Sequence, residues 1–224
     1  MPVPIPDFEG ENQKAIRRNL DKVITDLGAN TKGIQKKIQN FRELFDFSEE
    51  EVRQEIRDRK LFRAKFAKDP RKQGIHEKLA GAFIESLPNV GNFKVLPKSK
   101  LQLLGGVVMS KKEVKERGGT GEAKTLDFEW QSKGKQIYAS HKYTKDGGGG
   151  QDNQYRDMKD FIREANKSHT PNTIFLAIAD GPYYGMNDTG SRTTKLQNLQ
   201  NLANRTNVFA LSGEELEEFL NNLS

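Results

Sequence analysis

KTLDFEWQSKGKQIYASHKYTKDGGGGQDNQYRDMKDFIR, residues 124–163, is the stretch whose reading decides the fold. Thr125 to Trp130 has the composition of a strand, Ser132-Lys133-Gly134-Lys135 that of a tight turn, and Gln136 to Tyr143 that of a second strand. The pair reads as a hairpin. From Asp152 to Asn166, Tyr155, Met158, Phe161, Ile162 and Ala165 recur at helical spacing, and Asp152 is a suitable N-cap. Thr173 to Ala179 (TIFLAIA) is then a continuous apolar run, as expected of a strand buried on both faces. A helix crossing between the Lys142 strand and the Thr173 strand makes those two strands parallel. The fold class is therefore α/β, a mixed β-sheet flanked by helices.

Working outward toward the N-terminus, Asn92 to Leu96 (NFKVL) reads as a strand, and 98–109 carries Gly105-Gly106 without an assignable pattern. Residues 111–121 are charged and glycine-rich, as in a loop. Gln73 to Leu87 is an amphipathic helix with Ile75, Leu79, Phe83 and Leu87 near one stripe. Before Asp69-Pro70 the pattern is helical throughout. One helix runs from Asn12 to the stop at Gly28, and another begins near Thr31. A third is opened by a Ser48–Glu51 capping box and carries Val52, Ile56, Leu61, Phe62 and Phe66. Residues 1–70 thus read as a helical N-terminal subdomain, whose basic residues are either a solvated charged face or a DNA-embracing arm or dimerisation contact, and 71–224 as a second domain. Toward the C-terminus, Asp180-Gly181-Pro182 ends the apolar strand. A polar loop to about Ser191 follows, then a helix around Leu196 to Leu202, a short strand Val208-Phe209-Ala210 and a helix opened by Ser212.

Composition narrows the chemistry. Among 224 residues there is no cysteine, which excludes disulfides, thiolate zinc sites and cysteine nucleophiles. His76, His141 and His169 are scattered, which argues against a histidine-rich metal site. A net charge of +6 and a pI near 9.3 suit a polyanionic partner, nucleic acid first. No apolar run approaches the roughly 20 residues of a membrane span, and the expectation is a cytoplasmic protein with no membrane partner.

Asp127 and Glu129 are two apart on a strand, so both side chains leave the same face, opposite Leu126, Phe128 and Trp130. Paired carboxylates on one face can hold Mg2+, a hard cation that takes oxygen ligands and keeps several waters. On the next strand Tyr138, Ser140 and Lys142 share a face, so an aligned hairpin brings Lys142 near both acids. A lysine there can orient or deprotonate an attacking water and stabilise charge on a phosphate, beside a metal acting as Lewis acid. The competing reading is a cross-strand salt bridge on an ordinary hairpin.

The order helix, strand, strand, strand, helix, strand over 73–224, with Asp127 on the second strand and Ser140-His141-Lys142 on the third, resembles the PD-(D/E)XK nuclease superfamily, type II restriction endonucleases in particular. The resemblance implies a restriction-endonuclease-like fold and Mg2+-dependent cleavage of double-stranded DNA at a specific short sequence by a homodimer in a prokaryotic cell, with no nucleotide cofactor. It implies Asp127 as metal ligand, Lys142 as the lysine closing the motif, and Glu77 as an assisting acid from the preceding helix. The chain departs from the family where an acid is expected two residues before the lysine: Ser140 stands there. Glu129, Glu77, Asp157, Asp160 and Glu164 are the candidates to replace it, Glu129 and Glu77 first.

Two polar segments are the candidate DNA contacts. Gly147 to Gly150 suits either a flexible linker or close backbone approach to a phosphate at a helix N-terminus. It lacks the lysine and serine or threonine of a nucleotide-binding P-loop. Lys145, Gln151, Asn153, Gln154 and Arg156 lie around it, and amide and guanidinium side chains can read adenine and guanine. In the second segment, 182–195, Asn187, Ser191, Arg192 and Lys195 are the candidate contacts, and Tyr183 and Tyr184 are either core or phosphate contacts. His141 points away from the acids and reads as structural.

Overall fold

The structure is a computed structural model describing residues 3–70, 73–97, 100–119, 123–147 and 149–223. Positions 71–72 at the expected domain boundary, 98–99, 120–121 at the end of the charged segment, and Gly148 of the glycine run lie outside these residues. The chain divides into two compact units, 7–76 and 77–224, the second also taking the residues before Asp7.

The first unit consists of α1 (Phe8–Gly28), α2 (Lys32–Phe45), α3 (Glu49–Asp58) and the single turn α4 (Lys60–Arg63). Its core gathers Val23, Leu27, Ile34, Ile38, Val52, Ile56 and Phe66 from the helical stripes. Thr31 caps α2, and Ser48 and Glu51 close both bonds of a capping box at α3. The helix opened by Ser48 is shorter than its apolar pattern suggests. Arg59 is extended at φ −116°, ψ 109°, and the chain restarts as α4. Phe66 is buried, but Leu61 is 88% exposed, so it is not part of the expected apolar face.

α5 (Ile75–Ser86) begins two residues before the unit boundary, and the rest of the second unit contains two sheets. The larger has the strand order β1 (Gly91–Val95), β5 (Phe128–Ser132), β6 (Lys135–Tyr143), β7 (Thr173–Asp180), β8 (Val208–Leu211). β1, β5 and β6 are antiparallel neighbours, and β6, β7 and β8 are parallel, so the expected mixed sheet is present. The β5–β6 turn places Lys133 and Gly134 at φ 45° and 77°, the left-handed pair that a two-residue hairpin requires.

α7 (Gly149–Ala165) covers one sheet face, packing Tyr155, Met158, Phe161 and Ile162 with Phe175, Ala177 and Ala179. The helix begins at Gly149, not at Asp152; Asp152 lies in its first turn and accepts the Tyr183 hydroxyl rather than capping. On the other face α5 lies on Phe128, close enough that a Cβ on Gly81 would sit 3.3 Å from the Phe128 ring. α10 (Gly213–Asn222) contacts β7 and β8.

The smaller sheet has the order β3 (Val107–Ser110), β2 (Leu101–Leu104), β4 (Lys124–Thr125) and occupies the stretch the sequence left unassigned. Gly105 and Gly106 turn its hairpin at φ 59° and 79°. The charged segment after it is partly helical: α6 (Lys111–Glu116) is opened by a Ser110–Glu113 capping box. The expected single strand from Thr125 to Trp130 is two, because the chain leaves the small sheet at Thr125 and enters the large one at Phe128. Asp127 lies at that passage. The C-terminal region adds the short helix α8 (Pro182–Gly185) and α9 (Lys195–Leu202), capped by Thr194.

Candidate active site

The passage between the sheets makes Asp127 an unusual strand residue. Its main chain still belongs to the ladder: its N–H donates to Ala139 O at 2.8 Å and its carbonyl accepts from Leu96 N at 2.8 Å. One step further along β6, the His141 N–H meets no strand partner because β5 has not yet begun. The Asp127 side chain takes that place, accepting the His141 N–H on Oδ2 at 2.8 Å. A buried amide must find an acceptor, and here the acceptor is a carboxylate.

Period-two alternation does the rest. Ser140 and Lys142 leave β6 on the Asp127 side of the sheet. The Ser140 hydroxyl donates to Asp127 Oδ2 at 3.3 Å, and Lys142 Nζ lies 3.7 Å from the same oxygen. The side chains of Lys142 and Asp127 are 24% and 15% exposed, so the pair is shielded but open to solvent. Glu129, in register with Tyr138, shares the face but not Lys142. Its partner is Lys94 of β1, directly across the ladder, with Nζ 2.9 Å from Oε1. That hydrogen bond, then the Glu129 charge, raises the Lys94 pKa above its ordinary value. Burial, then the same charge, raises that of the Tyr138 phenol.

Among the described residues no three acids, histidines or cysteines gather to hold a metal, and the carboxylate pair Asp127–Glu129 is what this face offers a hard cation. Oδ2 of Asp127 and Oε1 of Glu129 are occupied, while Asp127 Oδ1 and Glu129 Oε2 have no hydrogen bond among the described residues. Two residues of strand separate the acids by roughly 6.6 Å at the backbone, a span that one hydrated ion can bridge. Glu77 lies in the first turn of α5, one turn before Gly81. Gly81 faces Val95, and Leu96 bonds Asp127. Glu77 thus lies on the helix covering the opposite face, and among the described residues it forms no three-acid group with Asp127 and Glu129. Asp160 and Glu164 of α7 are engaged elsewhere. Asp160 pairs with Lys124 at 3.2 Å and Arg163 at 3.0 Å, and Glu164 accepts the Gly105 N–H at 2.7 Å. Asp157 is exposed.

His141 works from behind the sheet. Its ring is buried on the far face, Nε2 lies 3.0 Å from Asp180 Oδ2, and Asp180 Oδ1 accepts the Gly213 N–H at 2.7 Å at the start of α10. One residue therefore anchors β6 to β7 and α10 through its side chain and holds Asp127 through its amide.

The two polar segments both reach the end of the sheet that carries Lys142, because Thr144 ties them there. Thr144 N–H donates to Asp180 O at 2.8 Å, its carbonyl accepts from Tyr183 N at 3.3 Å, and its hydroxyl donates to Gln154 Oε1 at 2.8 Å. This end is the carboxyl end of the parallel strands, where open α/β sheets bind their ligands. Lys145, Asn153, Arg156, Asn187 and Arg192 are exposed and Gln151 half-buried. Gln154 is bound to Thr144. Lys195 is buried, donates to the Asn187 carbonyl at 3.0 Å and sits 4.6 Å from the Tyr183 ring centroid, so its charge is used inside the loop. Tyr183 and Tyr184 are core residues. Sequence reasoning missed Lys94, whose partner depends on strand order, and the His141 amide, a group that every residue but proline carries.

Compared with known proteins, the chain matches no family model, no curated protein and no solved structure.

Proposed function

We propose that this protein is a Mg2+-dependent endodeoxyribonuclease of the restriction type, acting as a homodimer on double-stranded DNA at a short specific sequence. The observation that carries the reading is the 3.7 Å approach of Lys142 Nζ to Asp127 Oδ2 on adjacent strands, at the carboxyl end of a mixed sheet. The basic balance and the exposed Lys145, Arg156 and Arg192 at the same sheet end support a polyanionic substrate. A two-fold protein matches the two equivalent strands of a palindromic duplex.

Asp127, with Glu129 two residues along on the same face, would hold the ion, which when bound supplies Lewis-acid polarisation of the scissile phosphate, and Glu77 is the assisting acid that the family resemblance implies. Ser140 and the His141 amide fix the Asp127 carboxylate by bonding one oxygen, leaving the other to face outward. The Lys142 ammonium, held by the same carboxylate, orients the attacking water and offsets negative charge growing on the phosphoryl oxygens.

Supercoiled plasmid incubated with Mg2+, with and without EDTA, tests the reading. Discrete linear fragments that EDTA abolishes are expected. Binding without cleavage in Mg2+ and Mn2+ would instead favour a non-catalytic DNA-binding protein. That second reading is motivated by Ser140 at the acid position and by the Lys94 ion pair on Glu129. Nibbling from ends or branch-specific cutting would favour a repair or recombination nuclease.

A further inference from the structure

We propose that Lys94 is a resident cation that occupies Glu129 and is displaced when a divalent metal binds, so that the Lys94–Glu129 pair sets the metal affinity of the site. The inference rests on the reading of Asp127 and Glu129 as metal ligands.

Each acid on this face has its own lysine. Lys142 belongs to Asp127, and Lys94 to Glu129 by strand register. The two pairs are built differently. Lys142 is 24% exposed and emerges from β6, an interior strand of the sheet, in register with Ala179 of β7. Lys94 is 63% exposed, whereas the Glu129 side chain it covers is only 14% exposed. Lys94 therefore reaches in from solvent over a shielded carboxylate. β1 is the edge strand of the sheet, so no further strand holds the lysine in place.

Energetics favour exchange. The lysine end of the pair is exposed, and such an ion pair is weak enough for a divalent ion to outcompete. A shielded carboxylate nevertheless needs a counter-charge, because burying it unpaired is costly. Tyr138, the residue opposite Glu129 on β6, offers only a neutral phenol whose ionisation is further disfavoured. Lys94 supplies the missing charge in the metal-free protein, and the metal would supply it afterwards.

Calorimetric titration of the full chain with Mn2+, in the absence of DNA, tests this. Lys94→Met should bind Mn2+ about fivefold more tightly than wild type, the factor equivalent to about 1 kcal/mol. Lys94→Arg, which keeps the charge and reach, should match wild type. In a Glu129→Gln background the Lys94→Met effect should vanish. Wild-type affinity in Lys94→Met, with Asp127→Asn abolishing binding, would overturn the role of Lys94 while leaving the metal site standing. So would a tightening that persists with Gln at position 129. If Mn2+ binding is absent from both wild type and Lys94→Met, or is insensitive to Asp127→Asn, the metal-site reading itself fails and the inference with it.

Discussion

The His141 amide donates to Asp127 Oδ2 at 2.8 Å because β5, the strand that would otherwise have received it, begins only at Phe128, opposite Ala139. The site acid is thereby held by main chain, independent of any side-chain rotamer on β6. Asp127→Asn keeps an oxygen for that bond and should fold normally. On the nuclease reading it should lower cleavage by about a thousandfold, with Lys142→Met lowering it by about a hundredfold. Single-turnover plasmid cleavage, with circular dichroism as the folding control, measures both. Near-wild-type rates in either variant would remove that residue from the mechanism.

Behind the sheet, the His141–Asp180 pair predicts a structural effect with a functional shadow. Asp180→Ala leaves the His141 ring and the Gly213 N–H without their buried partner, and should cost about 2–4 kcal/mol in urea unfolding. A cost below 0.5 kcal/mol would show that the pair does not anchor the strand.

Gly181 is the backbone counterpart. Its φ is 101°, and a Cβ there would lie 2.3 Å from the Thr144 carbonyl oxygen. Gly181→Ala should destabilise by about 2–4 kcal/mol, combining a disfavoured dihedral with a main-chain clash. Because Thr144 ties α7 and α8 to the end of β6, the variant should also weaken DNA retention in a filter assay. Unchanged melting would contradict the geometry.

Alkaline pH should unfold the second unit through its tyrosines. Burial, then the Asp188 hydrogen bond, pushes Tyr155 up to about 12 from 10.0. Burial likewise pushes Tyr184 up to about 12. The unfolded chain releases these protons near pH 10 and the folded chain does not. The stability they contribute is therefore complete below pH 10 and is lost as pH rises toward 12. Denaturant midpoints should fall over that window, with phenolate absorbance rising as unfolding proceeds. Midpoints that stay constant from pH 9.5 to 11.5 would sink the prediction.

What could be read from the sequence follows from which interactions are local. Thr173–Ala179 reads as a buried strand by composition, one residue short of β7, and the parallel pairing with β6 follows from the helix between them. Asp127 and Lys142 were placed on one face by alternation alone. The small sheet was illegible because Leu101–Leu104 and Val107–Ser110 are short apolar runs without alternation, and β4 reads straight on into β5. The Ser110-Lys111-Lys112-Glu113 capping signal was present but sat in a segment whose charge suggested a loop. Lys94 could be assigned to Glu129 only once β1 was known to pair with β5, a fact about distant residues. Lys195 looked like a surface cation; its cost of burial is met by Asn187 O and the Tyr183 ring, neither predictable from its neighbours.

The tight turn at Lys133–Gly134 closes β5 and β6 at the end of the sheet away from the carboxylates. Four residues of strand separate Gly134 from Tyr138, the partner of Glu129, about 13 Å, and eight separate it from Lys142, about 26 Å, at 3.3 Å per residue. A fluorophore or affinity tag attached at Lys133 would therefore report on the sheet without crowding the acids, giving a handle for following a bound duplex in real time.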